Sequence, residues 1–188
     1  METTGGLRER KRERTRRTLQ KTATRLFLDR GFDAVTVAEI ADEADVALTT
    51  LFTYYPGGKV ALVFDRDEDR PAELARAIDE RNDQADVLDA VEAFMVSRLP
   101  FTTDGGTRDE ILDLILSTPQ LRAYARQKWT DCEDVLAAAL AKEQKPAAGT
   151  VRALGRFILE SPDIAAQDAA PGTALRAIFV NLRRGWGL

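Results

Sequence analysis

The sequence predicts an all-α fold, a three-helix N-terminal head followed by a helical C-terminal body, with about nine helices in all. Three observations carry this expectation. Apolar residues recur at helical spacing almost everywhere, no segment sustains strict alternation with β-branched enrichment, and helix stop and start signals fall between the periodic runs. At 188 residues the chain can bury a core without disulfide or metal staples.

The elements follow in order. A first helix carries Leu19, Ala23, Leu26 and Phe27 on one face and ends at Gly31, where a left-handed residue is wanted and Phe32 can fold back on Phe27. Thr36-Val-Ala-Glu39 has the spacing of a capping box and opens a short second helix with Val37, Ile40 and Ala41 inward. Glu43 to Val46 forms a tight turn, and a third helix runs to about Tyr55 before Pro56-Gly57-Gly58 stops it. A fourth helix opens at Lys59, turns acidic through Asp65-Arg-Asp-Glu-Asp69 and reaches Pro71. The joint between head and body is placed here, giving domains 1–65 and 66–188.

In the body, one helix spans about Val87 to Leu99 with Leu88, Val91 and Met95, and a short one spans Asp109 to Leu116. A long helix starts at Thr118-Pro119, a threonine cap with proline in the first turn, and continues through Leu121, Tyr124, Cys132, Leu136 and Leu140 to a stop before Pro146. Two more helices carry Val151, Leu154, Phe157 and Ile158, then Leu175, Ile178, Phe179, Leu182 and Trp186.

Composition narrows function. With no histidine, the commonest general base, the commonest zinc ligand and every Ser-His or Cys-His pair are absent, so most hydrolase chemistry falls away. No metal and no cofactor is expected. Carboxylates at Asp65, Asp67, Glu68 and Asp69 are the one group that could hold magnesium, and such runs are usually solvated. The single Cys132 reads as a reduced, packed thiol, no apolar run approaches a membrane span, and the expected location is the cytoplasm.

Charge is unevenly placed. The chain carries a net −4, yet residues 1–30 hold ten basic residues against four acidic, while residues 66–188 hold sixteen against twenty-one. A polyanion is attracted to the head and repelled by the body. The arm from Arg8 to Arg17, with Arg12, Arg14 and Arg16, reads as a phosphate clamp, partly disordered before a polyanion arrives.

Three short helices with a four-residue turn between the second and third describe a helix-turn-helix, whose third helix can enter the major groove of double-stranded DNA. At 100° per residue, Ala47, Leu51 and Tyr55 fall on a packing side, and Thr49, Thr50 and Thr53 on the other, flanked by Phe52 and Tyr54. Threonine offers a hydroxyl to base edges or phosphates and a methyl to thymine.

The run Leu19 to Leu62, LQKTATRLFLDRGFDAVTVAEIADEADVALTTLFTYYPGGKVAL, resembles the DNA-binding head of the tetracycline-repressor (TetR) family. The resemblance implies that Thr36 and Lys59 contact phosphate, that Leu48, Thr49, Thr50, Phe52 and Thr53 line the groove, and that Tyr54 grips the backbone. Three positions depart from the family pattern: Asp45 for the usual turn glycine, Ala47 for the usual capping serine, and an extra residue in Gly57-Gly58 before Lys59.

One reading helix buries little surface, so a homodimer is expected on a palindromic operator with half-sites roughly 34 to 36 Å apart. The resemblance implies a dimer interface on the last two helices, with Phe157, Leu175, Ile178, Phe179, Leu182 and Trp186. It also implies a repressor released by a small, mainly apolar ligand, for which Met95, Leu99, Phe101, Ile111, Tyr124 and Trp129 are the candidate wall. The competing reading is an architectural DNA-binding protein without a sensor.

Overall fold

The computed structural model describes residues 4–64, 69–98, 107–144 and 148–185. Among them eleven helices and no strand are found: α1 (Thr4–Arg30), α2 (Val37–Glu43), α3 (Leu48–Tyr54), α4 (Gly58–Val63), α5 (Arg70–Asp79), α6 (Val87–Arg98), α7 (Thr107–Ser117), α8 (Pro119–Thr130), α9 (Glu133–Gln144), α10 (Ala148–Ala165) and α11 (Pro171–Gly185). The chain divides into two compact units, Met1–Arg66 and Asp67–Leu188.

In the first unit, α1 runs 27 residues without interruption, about 40 Å at 1.5 Å per residue. The basic arm is therefore helix, which corrects the expectation of partial disorder. Arginine, lysine and glutamate are good helix formers, and Glu13 pairs with Arg17 one turn on, at 2.9 Å. Packing begins only at Leu19; from there Leu19, Ala23, Leu26 and Phe27 are buried together with Ile40, Ala41, Leu51, Tyr55 and Leu62. Gly31 takes φ +82, its N–H donates to the Phe27 carbonyl at 2.9 Å, and the Phe27 and Phe32 rings meet at 5.1 Å.

The turn between α2 and α3 is closed by backbone. Asp45 N–H donates to the Asp42 carbonyl at 3.1 Å and Val46 N–H to the Ala41 carbonyl at 2.9 Å, the paired bonds of a Schellman motif. Asp45 holds the left-handed position, φ +53, that glycine would occupy without strain. Ala47, expected on the packing side of α3, is exposed. It is the N-cap, with ψ 139, so the helical wheel does not yet apply to it.

The fourth helix was expected to reach Pro71, and residues 65–68 of its acidic end lie outside the described residues. α4 stops at Val63, and Asp69 begins a new helix by accepting the Ala72 N–H at 3.2 Å. Pro71 lies in its first turn, so proline here starts a helix instead of ending one. The expected long helix is two, α8 and α9, broken at Asp131-Cys132, where Cys132 N–H donates to the Trp129 carbonyl at 3.0 Å. Glu133 and Asp134 then stand in the first turn of α9, where negative charge suits the helix dipole. Thr118 makes no side-chain cap bond; Pro119 alone sets the start of α8.

The core of the second unit joins Leu74 and Ile78 of α5, Val91 and Met95 of α6, Trp129 of α8, Leu136 of α9, Ile158 of α10, and Leu175 and Phe179 of α11. Helix α10 carries Pro162 in its interior, which leaves the Ile158 carbonyl without its usual N–H donor. The buried Ser161 hydroxyl donates to that carbonyl at 2.6 Å and repairs the gap.

Candidate nucleic-acid interface

Helix α3, expected to read the groove, and the cations of α1 are brought together inside the first unit. The Arg12 guanidinium stands 6.0 Å from the centre of the Tyr54 ring, and that of Arg16 stands 5.4 Å from the centre of Tyr55. The Tyr55 hydroxyl donates to the Arg16 carbonyl at 3.3 Å. The C-terminal end of α3 is thus seated against the basic half of α1.

The expected arginines divide between two faces of α1. Arg12 and Arg16 are one turn apart and adjoin the tyrosines. Arg14 lies on another side, in a shallow recess of about 400 Å³ with Arg10, Glu13, Arg17, Thr18 and Lys21. Spacing i, i+4, i+7 and i+11 from Arg10 would have revealed this second stripe. Arg12 and Arg14 have no carboxylate partner among the described residues, whereas Arg25 and Arg30 are held by Glu43 at 2.8 Å and Glu39 at 2.6 Å.

On α3, Leu48, Thr49, Phe52 and Thr53 are exposed, and Thr50 and Tyr54 are half-buried. Leu51 and Tyr55 face inward, at 0% and 2% exposure. The Thr53 hydroxyl donates to the Thr49 carbonyl at 2.9 Å.

Two expected phosphate contacts have local partners. Thr36 caps α2: its hydroxyl accepts the Glu39 N–H at 3.2 Å and donates to the Glu39 carboxylate at 2.7 Å, while its own N–H donates to the same oxygen at 2.7 Å. Glu39 also receives Arg30, and hydrogen bonds from Arg30 first, then Thr36, hold its carboxyl down at about 2. The Lys59 ammonium donates to the Phe32 carbonyl at 2.8 Å and lies 4.2 Å from the centre of the Phe32 ring, which pins α4 to the end of α1. One of its three N–H donors is committed by that bond.

The body candidates fare differently. Met95 and Trp129 sit in the core at 0% and 5% exposure, and Ile111 and Tyr124 are half-buried. Leu99 and Phe101 lie outside the described residues. A largely uncharged wall was expected, yet the guanidinium of the buried Arg70 stacks 4.1 Å from the centre of the Trp129 ring. Leu175, Phe179 and Leu182 are consumed by the unit's own core, which corrects their assignment to a dimer face. An amphipathic stripe shows that a helix buries one side without naming the neighbour. Ile178 is half-buried, Trp186 lies outside the described residues, and the large apolar side chains left exposed on α10 and α11 are Phe157, Ile164 and Val180. Of the proposed magnesium group, Asp69 caps α5 and the other three carboxylates lie outside the described residues.

Comparison with known proteins agrees with this geometry. The family model described as bacterial regulatory proteins, tetR family, matches residues 19–65. A Mycobacterium tuberculosis protein named for regulation of mycofactocin biosynthesis, MftR, is 29% identical over 134 residues, covering 71% of this chain and 67% of its own. A transcriptional regulator from Aquifex aeolicus VF5 shares the fold at a TM-score of 0.55 and 16% identity, with 92% of this chain and 98% of the other covered. The TetR family repressor AlkX from Dietzia sp. strain DQ12-45-1b does so at 0.53 and 17%, with 89% and 94% covered. These matches support a DNA-binding transcriptional regulator. Its first unit is similar to the DNA-binding heads of the TetR family, and the MftR match extends the likeness over most of the chain.

Proposed function

We propose that this regulator is a repressor, that it binds a palindromic operator as a homodimer, and that a small ligand held in the second unit releases it. The observation that carries the DNA-reading part is the seating of α3 on the cationic half of α1 through Arg12 with Tyr54 and Arg16 with Tyr55. Phosphate contacts from α1 fix position, and α3 reads bases. Dimerisation is supported by exposed apolar side chains at helical spacing, Phe157 and Ile164 on α10 with Val180 on α11. Ligand release needs only a compound that favours the non-binding state by about 3 kcal/mol, which lowers operator affinity about a hundredfold. Recovery of bound fragments from a random duplex pool by the full chain tests the whole scheme. A palindrome with half-sites one helical turn or a multiple apart is the expected product; recovery of unrelated sequences would refute it.

A further inference from the structure

The reading face of α3 lacks the groups by which proteins usually tell bases apart. Guanine is read by the paired donors of arginine or lysine, adenine by the amide of asparagine or glutamine, and cytosine by a carboxylate. The helix sequence is Leu-Thr-Thr-Leu-Phe-Thr-Tyr and holds none of these. Its hydroxyl supply is also reduced, because Thr53 donates its proton to the Thr49 carbonyl.

What the helix does present is apolar. Leu48 is 42% exposed and Phe52 is 44% exposed, one turn apart on the same side. Gly58 lies next to the Phe52 ring, and a first side-chain carbon added there would stand 3.7 Å from Phe52 Cε1, in ordinary van der Waals contact. These side chains project from a unit whose first thirty residues carry six excess positive charges, with Arg12 beside Tyr54 at the end of the same helix. That charge selects a polyanion as the occupant over an apolar protein surface. In the major groove, the one apolar group that base pairs display is the 5-methyl of thymine.

We infer that Leu48 and Phe52 read thymine methyl groups, so that each operator half-site places A·T pairs beneath α3 and is recognised there by methyl burial instead of bidentate hydrogen bonds. This rests on the reading that α3 enters the major groove. Deoxyuridine tests it, since it differs from thymidine by the methyl alone and leaves phosphates and hydrogen-bonding edges unchanged.

The experiment recovers an operator from a random duplex pool with the full chain, then measures binding to that operator resynthesised with deoxyuridine at each half-site thymine. Each methyl removed beneath α3 is expected to weaken binding about fourfold, and two about fifteenfold. Leu48→Ala and Phe52→Ala, both at exposed positions, should each erase the thymine-over-uracil preference at its own base pair while leaving the salt dependence unchanged. Equal binding of thymine and uracil operators, or a recovered half-site built on G·C pairs, would overturn the inference while leaving operator recognition intact. A pool that yields no preferred sequence would overturn operator recognition itself, and this inference with it.

Discussion

Arg12 and Arg14 of the first unit stand on an exposed helix with no carboxylate partner among the described residues, while five arginines of the second unit close on carboxylates at 2.9 Å or less. These pairs are Arg81 with Glu143 at 2.8 Å, Arg98 with Glu73 at 2.5 Å, Arg122 with Asp163 at 2.8 Å, Arg126 with Glu160 at 2.9 Å, and Arg183 with Asp89 at 2.7 Å. One residue type is left facing outward in one region, where the proposed function uses it for phosphate, and fastens helix to helix in the other. Within the first unit the same division recurs along α1, whose C-terminal Arg25 and Arg30 are bound by the acids of α2. A net charge of −4 therefore says little about polyanion binding; where the cations are left unpaired says much more.

The contrast can be broken first at α1. Replacing Arg12 and Arg16 together by glutamine should weaken binding to every duplex roughly thirtyfold at 0.15 M salt and lower the slope of log affinity against log salt by about 2. Titrations across a salt series check both figures. Adding Arg14→Gln would lower the slope by about one more only where the duplex also reaches the opposite face of α1.

In the second unit the corresponding losses are of stability. Ser161→Ala leaves the Ile158 carbonyl with neither the hydroxyl nor a proline N–H, at a cost of about 1–3 kcal/mol in chemical denaturation. Breaking the two-bond contact of Arg122 with Asp163 by Arg122→Met should cost about 1 kcal/mol, with operator affinity of the folded protein unchanged. A double-mutant cycle with Asp163→Asn isolates the coupling.

Acid should weaken both units through carboxylates. The hydrogen bonds from Arg122 hold Asp163 below the usual carboxylate range, and Glu39 lies at about 2. Each carboxyl is easier to protonate in the unfolded chain, so its contribution is complete above the unfolded value of about 4 and is lost as pH falls toward the folded one. Unfolding midpoints followed from pH 6 down to 2 should show Glu39→Gln protein losing less stability than the parent. The smallest effect concerns Asp45. Glycine there relieves about 1 kcal/mol or slightly more of left-handed strain and returns part of it as unfolded-chain entropy, for a net gain of about 0.5 kcal/mol by thermal melting.

The helices of the head were legible because each boundary has a local chemical cause. Gly31, the Thr36 to Glu39 box and Pro56-Gly57 act over three or four residues and need no distant partner. The start of α5 had an equally local signal in Asp69-Arg-Pro71, but it was masked by an acidic run that reads as the continuation of α4. The break at Asp131 was harder, since the apolar spacing of α8 carries across it into α9. Exposure was least legible. The stripe of Leu175, Phe179 and Leu182 fits an intramolecular core and a dimer face equally well, and only packing against α6 and α10 decides between them. Likewise, the two cation stripes of α1 emerge only once the arm is known to be helix, because only then does spacing become direction.

That continuous first helix also shapes the kinetics of encounter. Residues 6–18 already hold their helical form in the free protein, so capture of a duplex requires no segment to condense from a coil there. Association should consequently show little sensitivity to helix-promoting cosolvents such as trifluoroethanol, and a heat-capacity change that reflects the docked surface instead of coupled folding.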